Sequence, residues 1–288
     1  MKKALSILLA GALVATTAFA DKQTEKTNKE SVEMAKAAAR NANPLVKEAV
    51  KAVEYTQEAL FDLEKNEVEK AKEAIKKASG ELTILLNSPN APYLLPVDVR
   101  IQAVEFMGTK KDIEVLAKKA KKLVDEGLYP AARQVLNSLR SEIVVKTINL
   151  PLASYPAAIN LAAKYLNEGK IKEAQDVLAM ALSTLVEIDT IIPIPLVKAQ
   201  GLIEEASKLV AKNKKEALVY LTNAKEELEK AQLLGYVSKS STTYKMLEDE
   251  IDRLMKKIKG GEKSESLFKD LIQKIKEFKE KAISSFRG

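Results

Sequence analysis

The chain has 288 residues, of which 47 are Lys or Arg and 40 are Asp or Glu, and it contains no His, Cys or Trp. The absence of His and Cys excludes Ser–His–Asp and Cys–His nucleophiles, zinc sites with nitrogen or sulfur ligands, and disulfides. The net charge of +7 comes from interleaved charges of both signs. Because the charges are interleaved, nucleic acid is not an expected partner. The missing His and Cys leave no expected cofactor.

Residues 1–20 have the three parts of a secretory signal peptide. Lys2 and Lys3 form a charged start, residues 4–14 are apolar, and Ala18, Phe19 and Ala20 fit a cleavage site. An uncleaved membrane anchor is the alternative, because the apolar run approaches the length of a short span. We expect export to the periplasm and cleavage after Ala20.

The secondary structure can be predicted along the chain from periodicity. Residues 21–30 are polar and predict a flexible lead, followed by a short helix that ends before Pro44. Helices are predicted over residues 45–65 and 67–86, and alternating apolar residues predict a strand over residues 97–103. Thr109 and Asp112 resemble a capping pair that opens a helix reaching residue 126, and Pro130 starts the next helix. Further strands are predicted over residues 141–150 and 186–194, with two helices between them.

A helical hairpin recurs along the chain. A Leu precedes an Ala by eight residues, across a turn, at Leu63 and Ala71, Leu123 and Ala131, Leu166 and Ala174, and Leu209 and Ala217. The last three alanines are spaced 43 residues apart. Small side chains let two helices approach closely, so we expect Ala131, Ala174 and Ala217 at equivalent contacts. A fixed period of this length is typical of stacked supersecondary units.

The predicted fold is mainly α, with repeated antiparallel helical hairpins, three short strand-like segments that can form a small sheet, and C-terminal amphipathic helices. A purely helical solenoid, with the strand-like segments as apolar linkers, is the competing fold. The predicted organisation is a signal peptide at residues 1–20, a flexible lead and short helix at 21–43, a hairpin repeat domain at 44–235 and a helical extension at 236–288.

The C-terminal extension carries two narrow apolar stripes on helices otherwise rich in Lys and Glu. The second stripe is a candidate surface for a partner helix and comprises Phe268, Leu271, Ile272, Ile275, Phe278 and Phe286. Docking on the protein's own body, or packing as a helical hairpin, is the favoured explanation, ahead of self-association or a partner helix. Membrane-surface binding is the least favoured, since the charges are mixed in sign. Deleting residues 260–288 is expected to leave the rest of the chain folded.

Several segments resemble one known family. The run AAKYLNEGKIKEAQDVLAMAL, preceded by TINLPL, resembles the YfdX family of exported bacterial proteins. VEYTQEALFDLEKNEVEKAKEAIKKASGELTILL and YLLPVDVRIQAVEF are similar to that family's opening hairpin and apolar middle segment, so the resemblance covers about residues 44–190. It implies a periplasmic, mainly helical protein associated with envelope stress, and it supplies no reaction, cofactor or catalytic residue. Residues 191–234 and the tail from residue 235 depart from the family pattern.

These observations predict a binding protein rather than an enzyme. Ser266 and Lys269 fit an S-x-x-K pattern, but its companion motifs are missing, and a helix cap with an exposed lysine explains it. We expect binding of peptides, unfolded chains or apolar ligands through a candidate apolar segment that could line a groove, namely Ile191, Ile192, Pro193, Ile194 and Pro195. A self-assembling or partner-binding envelope scaffold is the alternative, and a hydrolase using only carboxylates is least favoured. Protein or peptide partners and a homo-oligomer are expected.

Overall fold

The computed structural model describes residues 20–42, 47–238 and 240–285. The predicted signal peptide lies outside the described residues except for Ala20. The described part of the chain forms helices at Ala20–Ala42 (α1), Lys47–Glu64 (α2), Val68–Leu86 (α3), Lys110–Asp125 (α4), Tyr129–Ser138 (α5), Tyr155–Asn167 (α6), Ile171–Ser183 (α7), Ile194–Leu209 (α8), Lys214–Leu233 (α9), Thr242–Gly260 (α10) and Glu265–Ser285 (α11). Strands occupy Leu94–Val104 (β1), Glu142–Pro151 (β2) and Val186–Pro193 (β3). The predicted mainly α class is confirmed.

The three strands form one antiparallel sheet in the order β1-β2-β3. The Leu152 N–H donates to the Tyr93 carbonyl at 2.9 Å, so the end of β2 lies beside the start of β1. The Ile194 N–H donates to the Ser141 carbonyl at 2.9 Å, so the end of β3 lies beside the start of β2. The predicted small sheet is thus confirmed, and the purely helical solenoid is excluded.

Local sequence signals explain where the hairpins turn. Asn66, Gly127 and Gly169 have φ values of 60°, 74° and 73°, the left-handed conformation that Gly and Asn adopt most readily after a helix. Thr109 and Asp112 form the predicted capping box, in which the Thr109 N–H donates to the Asp112 carboxylate at 2.8 Å. Hydrogen bonds from the hydroxyl and the backbone of Thr109 lower the pKa of Asp112 below its ordinary value.

The chain divides into two compact units, each assembled from separated segments. The first unit contains the described residues up to Glu33, together with Val104–Glu142 and Pro193–Ala282. The second unit contains Met34–Ala103, Ile143–Ile192 and the described residues after Ala282. The linear boundaries at residues 43 and 235 stay predictions.

In the second unit, two helical hairpins pack against each other. The α2–α3 hairpin contacts the α6–α7 hairpin, with α2 against α7 and α3 against α6. The repeated Leu and Ala positions meet in this core, where Leu63, Ala71 and Ala174 are fully buried and Leu166 is 4% exposed. The alanines at these positions leave room for the neighbouring leucines, which is the packing that the repeat predicted.

The first unit is built on the α8–α9 hairpin, which α10 and α11 cover. Four side chains of the predicted C-terminal stripe belong to its apolar core, namely Phe268, Leu271, Ile275 and Phe278. The structure therefore does not support the reason for expecting the rest of the chain to stay folded without residues 260–288, because α11 is part of this core. Their apolar stripe is too fully buried for α11 to be an independent appendage.

The expected equivalence of the repeated alanines holds only in part. Ala174 and Ala217 are fully buried, whereas Ala131 is half-buried and its neighbour Ala132 takes the buried position in α5. The eight-residue step is kept in the sequence, but the α4–α5 hairpin has a different environment. This difference defines the candidate site described below.

Residues 21–30 form part of α1 rather than the flexible lead that their polarity predicted. Two intrahelical ion pairs support this stretch, between Lys29 and Glu25 at 2.8 Å and between Lys26 and Glu30 at 3.8 Å. Pairs at this spacing stabilise a helix modestly. The low hydrophobicity of residues 21–30 did not prevent helix formation, because hydroxyl and amide side chains of α1 also make packing contacts.

Candidate functional site

The described residues show neither a metal-binding cluster nor a membrane-spanning helix. Within the described ranges, no group of three or more Asp or Glu side chains is arranged to hold a metal ion. Ser266 and Lys269 are both exposed on α11. The same ranges contain no helix that combines the length and the apolar character needed to span a bilayer.

The candidate apolar binding segment is the junction between β3 and α8, formed by Ile191, Ile192, Pro193, Ile194 and Pro195. The first two residues are half-buried at the end of β3, and the last three are buried. Pro193 precedes α8, and Pro195 lies in its first turn, where the lack of an N–H costs no helical hydrogen bond. Burial thus leaves Ile191 and Ile192 as the more accessible side chains of this segment, and its role in ligand binding stays a prediction.

The candidate partner-helix stripe is used within the chain. Phe268 and Leu271 are 1% exposed and Ile275 is fully buried, while Ile272 is half-buried and Phe286 lies outside the described residues. Polar contacts also link α11 to its neighbours, because Lys274 pairs with Glu250 of α10 and Lys279 donates to Gln200 of α8 at 2.6 Å. Docking on the protein's own body is the arrangement that the structure contains.

The α4–α5 hairpin instead exposes apolar side chains. Four of them lie at the connection between its helices or within two turns of it, and we call these four residues the hairpin patch: Val124, Leu128, Tyr129 and Leu136. Their exposed fractions are 43%, 49%, 64% and 51% in that order. Tyr129 and Leu136 are seven residues apart and so lie on the same face of α5.

The hairpin patch is exposed because no second hairpin covers it. The α2–α3 hairpin is covered by α6–α7, and the α8–α9 hairpin by α10 and α11. The α4–α5 hairpin contacts α9 through α4, and none of its described residues belongs to the two apolar core clusters. Sequence reasoning missed this surface because the apolar periodicity of α4 and α5 resembles that of the covered hairpins.

Charges of both signs surround the hairpin patch. Lys121 pairs with Asp125 at 2.8 Å, and Lys122 pairs with Glu126 at 3.7 Å, both one turn apart along α4. Exposed pairs of this kind contribute little to stability, but they keep the border of the patch hydrated. An apolar centre with a mixed polar border is typical of protein interaction surfaces.

The first unit also contains a small polar cavity of about 290 Å³ beside α4, α9 and α10. Lys110 pairs with Glu229 across it, and Tyr244 donates to the Glu248 carboxylate at 2.9 Å. Glu229 raises the pKa of Lys110, and burial followed by the bond to Glu248 raises the pKa of Tyr244. The Lys110–Glu229 pair thus links α4 to α9, whereas the Tyr244–Glu248 bond lies within α10.

Comparison with known proteins agrees with the predicted resemblance. Residues 52–191 match the model of the YfdX protein family. Over these residues the chain is similar to the YfdX family, and the match ends before α8. A solved structure of YfdX from Salmonella Typhi is 17% identical, with a TM-score of 0.38, covering 53% of this chain and 94% of that one. No curated protein matches the chain.

Proposed function

We propose that the chain is an exported, non-enzymatic envelope protein that binds peptides or unfolded polypeptides through the hairpin patch. The observation that carries this proposal is the exposure of Leu128, Tyr129 and Leu136, each about half or more, on a hairpin that lacks the cover the other hairpins have. Export rests on the signal-peptide pattern of residues 1–20, and an association with envelope stress rests on the YfdX resemblance.

The chemistry of the hairpin patch suits polypeptides better than small apolar molecules. Covering the Leu and Tyr side chains contributes about 25 cal/mol of favourable binding free energy for each Å² of apolar surface that a ligand removes from water. The patch lies at a helical connection and is open to solvent, whereas the cavity beside Lys110 is lined mainly by charged and polar groups. A flexible apolar segment can cover several exposed side chains at once, with modest affinity and little sequence preference.

A light-scattering assay with a heat-denatured client protein tests the proposal. The purified chain should suppress aggregation at about stoichiometric ratio. The double variant Leu128→Gln/Leu136→Gln should lose most of this effect, because glutamine removes apolar surface while retaining helix propensity. The matched control is Ile84→Gln/Leu86→Gln, in which both original side chains are 55% exposed on α3.

Equal suppression by the patch variant and the control variant would contradict the proposal. So would a wild-type chain that leaves client aggregation unchanged. Both variants replace exposed side chains, and their urea midpoints should stay close to wild type. A loss of suppression can therefore be assigned to the surface rather than to unfolding.

Self-assembly is the second candidate function, favoured by the same uncovered hairpin. The α4–α5 hairpin of a second copy could supply the cover that the chain itself does not, giving a homo-oligomer or scaffold. Light scattering coupled to size-exclusion chromatography separates the two functions. A scaffold would show an oligomer that Leu128→Gln/Leu136→Gln dissociates, and it would not suppress client aggregation.

A further inference from the structure

Strand β1 is a long edge strand with an open outer side. The sheet has the order β1-β2-β3, so β1 (Leu94–Val104) has a neighbouring strand on one side only. Its 11 residues make it about twice as long as an average strand. In the described part of the chain, no backbone hydrogen bond from an element other than β2 reaches residues 94–104. An open edge of this length is a template for pairing with another strand.

One hydrogen bond determines which backbone groups of β1 face the open edge. The Leu152 N–H donates to the Tyr93 carbonyl at 2.9 Å, and residues along an antiparallel strand direct their backbone groups alternately to its two sides. The odd-numbered residues of β1 therefore pair with β2, and the even-numbered residues face outward. Pro96 agrees with this register, because a proline in a strand places its missing N–H at the open edge.

Two opposite charges lie next to each other on the open edge of β1. Asp98 and Arg100 share one face of the sheet, and the Arg100 side chain donates to the Asp98 carboxylate at 2.8 Å. Their side chains are 44% and 69% exposed, respectively. The other edge of the sheet, β3, carries two acids, Glu187 and Asp189, which share Lys146 of β2. Since like charges opposite each other destabilise strand pairing, β1 is a better match for a copy of itself than β3 is.

A second copy of β1, running antiparallel, fits this edge in one register. Pairing Leu94 with Val104 of the partner subunit uses the whole strand and places Val99 at the two-fold axis. The same register sets Asp98 directly opposite Arg100 of the partner subunit. Displacing the pairing by two residues would set Arg100 opposite Arg100 of the partner subunit, or Asp98 opposite Asp98 of the partner subunit. The length of the strand and its charges therefore select the same register.

We propose that two copies of the chain join edge to edge through β1 and form one continuous sheet across a two-fold axis at Val99. Each copy uses the same surface, as in closed two-fold dimers. The pairing satisfies the outward backbone groups of the strand except the Gln102 carbonyl, which lies opposite Pro96 of the partner subunit. This interface is separate from the hairpin patch and does not depend on the binding function proposed for that patch.

Charge reversal tests the pairing by light scattering coupled to size-exclusion chromatography. The wild-type chain should show twice the molar mass of a single chain at high concentration. Asp98→Arg and Arg100→Asp should each raise the dissociation constant of the dimer about tenfold or more, because each sets like charges opposite each other at two symmetric positions. The double variant Asp98→Arg/Arg100→Asp should restore the wild-type value. The matched control is Glu69→Arg, which reverses an 86% exposed carboxylate on α3 and should leave the dissociation constant unchanged.

Disulfide formation tests the register independently, because the chain has no Cys of its own. Val99→Cys should crosslink two copies under mild oxidation, since opposite residues of a non-hydrogen-bonded pair have Cα atoms about 4.5 Å apart. Ile101→Cys is the control, because the two introduced side chains would lie about 13 Å apart along the strand. Both native side chains are half-buried, so accessibility does not distinguish the two variants. A mixture of Val97→Cys and Ile101→Cys chains should crosslink, because these two positions face each other across the axis.

A wild-type chain that stays monomeric at every concentration measured would overturn the proposal. Equal crosslinking of Val99→Cys and Ile101→Cys would also overturn it, because the register would then be wrong. A dimer that persists in both single charge variants but dissociates in Leu128→Gln/Leu136→Gln would place the interface on the hairpin patch instead of β1.

Discussion

Replacing Phe268 by alanine should strongly destabilise the first unit. Phe268 is 1% exposed in the apolar core that α11 shares with α8, α9 and α10. An aromatic side chain buries about 150–250 Å², which corresponds to roughly 4–6 kcal/mol at 25 cal/mol per Å². Since alanine keeps the Cβ atom while a cavity remains, we expect a loss of about 3–5 kcal/mol.

Urea unfolding followed by circular dichroism measures this loss. With a slope of about 2 kcal/mol per molar urea, the midpoint should fall by roughly 1.5–2.5 M. If the two compact units unfold separately, the shift should be confined to one transition. The control is Phe61→Ala, because Phe61 is 53% exposed on α2 and should change the free energy of unfolding by about 0.5 kcal/mol or less.

A Phe268→Ala midpoint equal to that of the control would refute the reasoning. It would mean that α11 is undocked in solution, and the stripe would then be available to a partner helix, as one of the sequence-based alternatives proposed. A loss of stability in the expected range would instead show that the C-terminal helices are part of the folded body.

The packing and the charges give two further predictions. Ala174→Leu should lower the free energy of unfolding by about 1–3 kcal/mol, because Ala174 is fully buried. Ala131→Leu should lower it by about 0.5 kcal/mol or less, because Ala131 is half-buried. Equal urea midpoints for the two variants would contradict this difference. The free energy of unfolding should be constant from pH 8 to about pH 5 and should fall below about pH 4. Carboxylates whose pKa is lowered by folding stabilise the fold at pH values above their unfolded-state pKa of about 3.9–4.3. They lose that contribution as the pH drops through their folded-state pKa. These carboxylates bond to lysines or a cap, and they are Glu25, Glu67, Asp112 and Glu168. Because the chain has no His, a melting-temperature transition centred near pH 6 would contradict this prediction.

The sequence by itself determined the local structure and the resemblance to the YfdX family. Hairpin turns at Asn66, Gly127 and Gly169, the capping box at Thr109, and the three strands all follow from backbone preferences that act over a few residues. The YfdX resemblance depends on the same spacing of small and apolar residues, and the match over residues 52–191 confirms it.

Only the tertiary structure decided which apolar faces are covered. The stripes of α4, α5 and α11 look alike in sequence, yet Phe268 is buried and Leu136 is half exposed. The polar stretch at residues 21–30 is part of α1, in which the next residue, Ser31, packs closely against Gly201 from far along the chain. Periodicity specifies that a helix has an apolar face, but the covering element comes from distant segments, and its presence depends on how those segments pack.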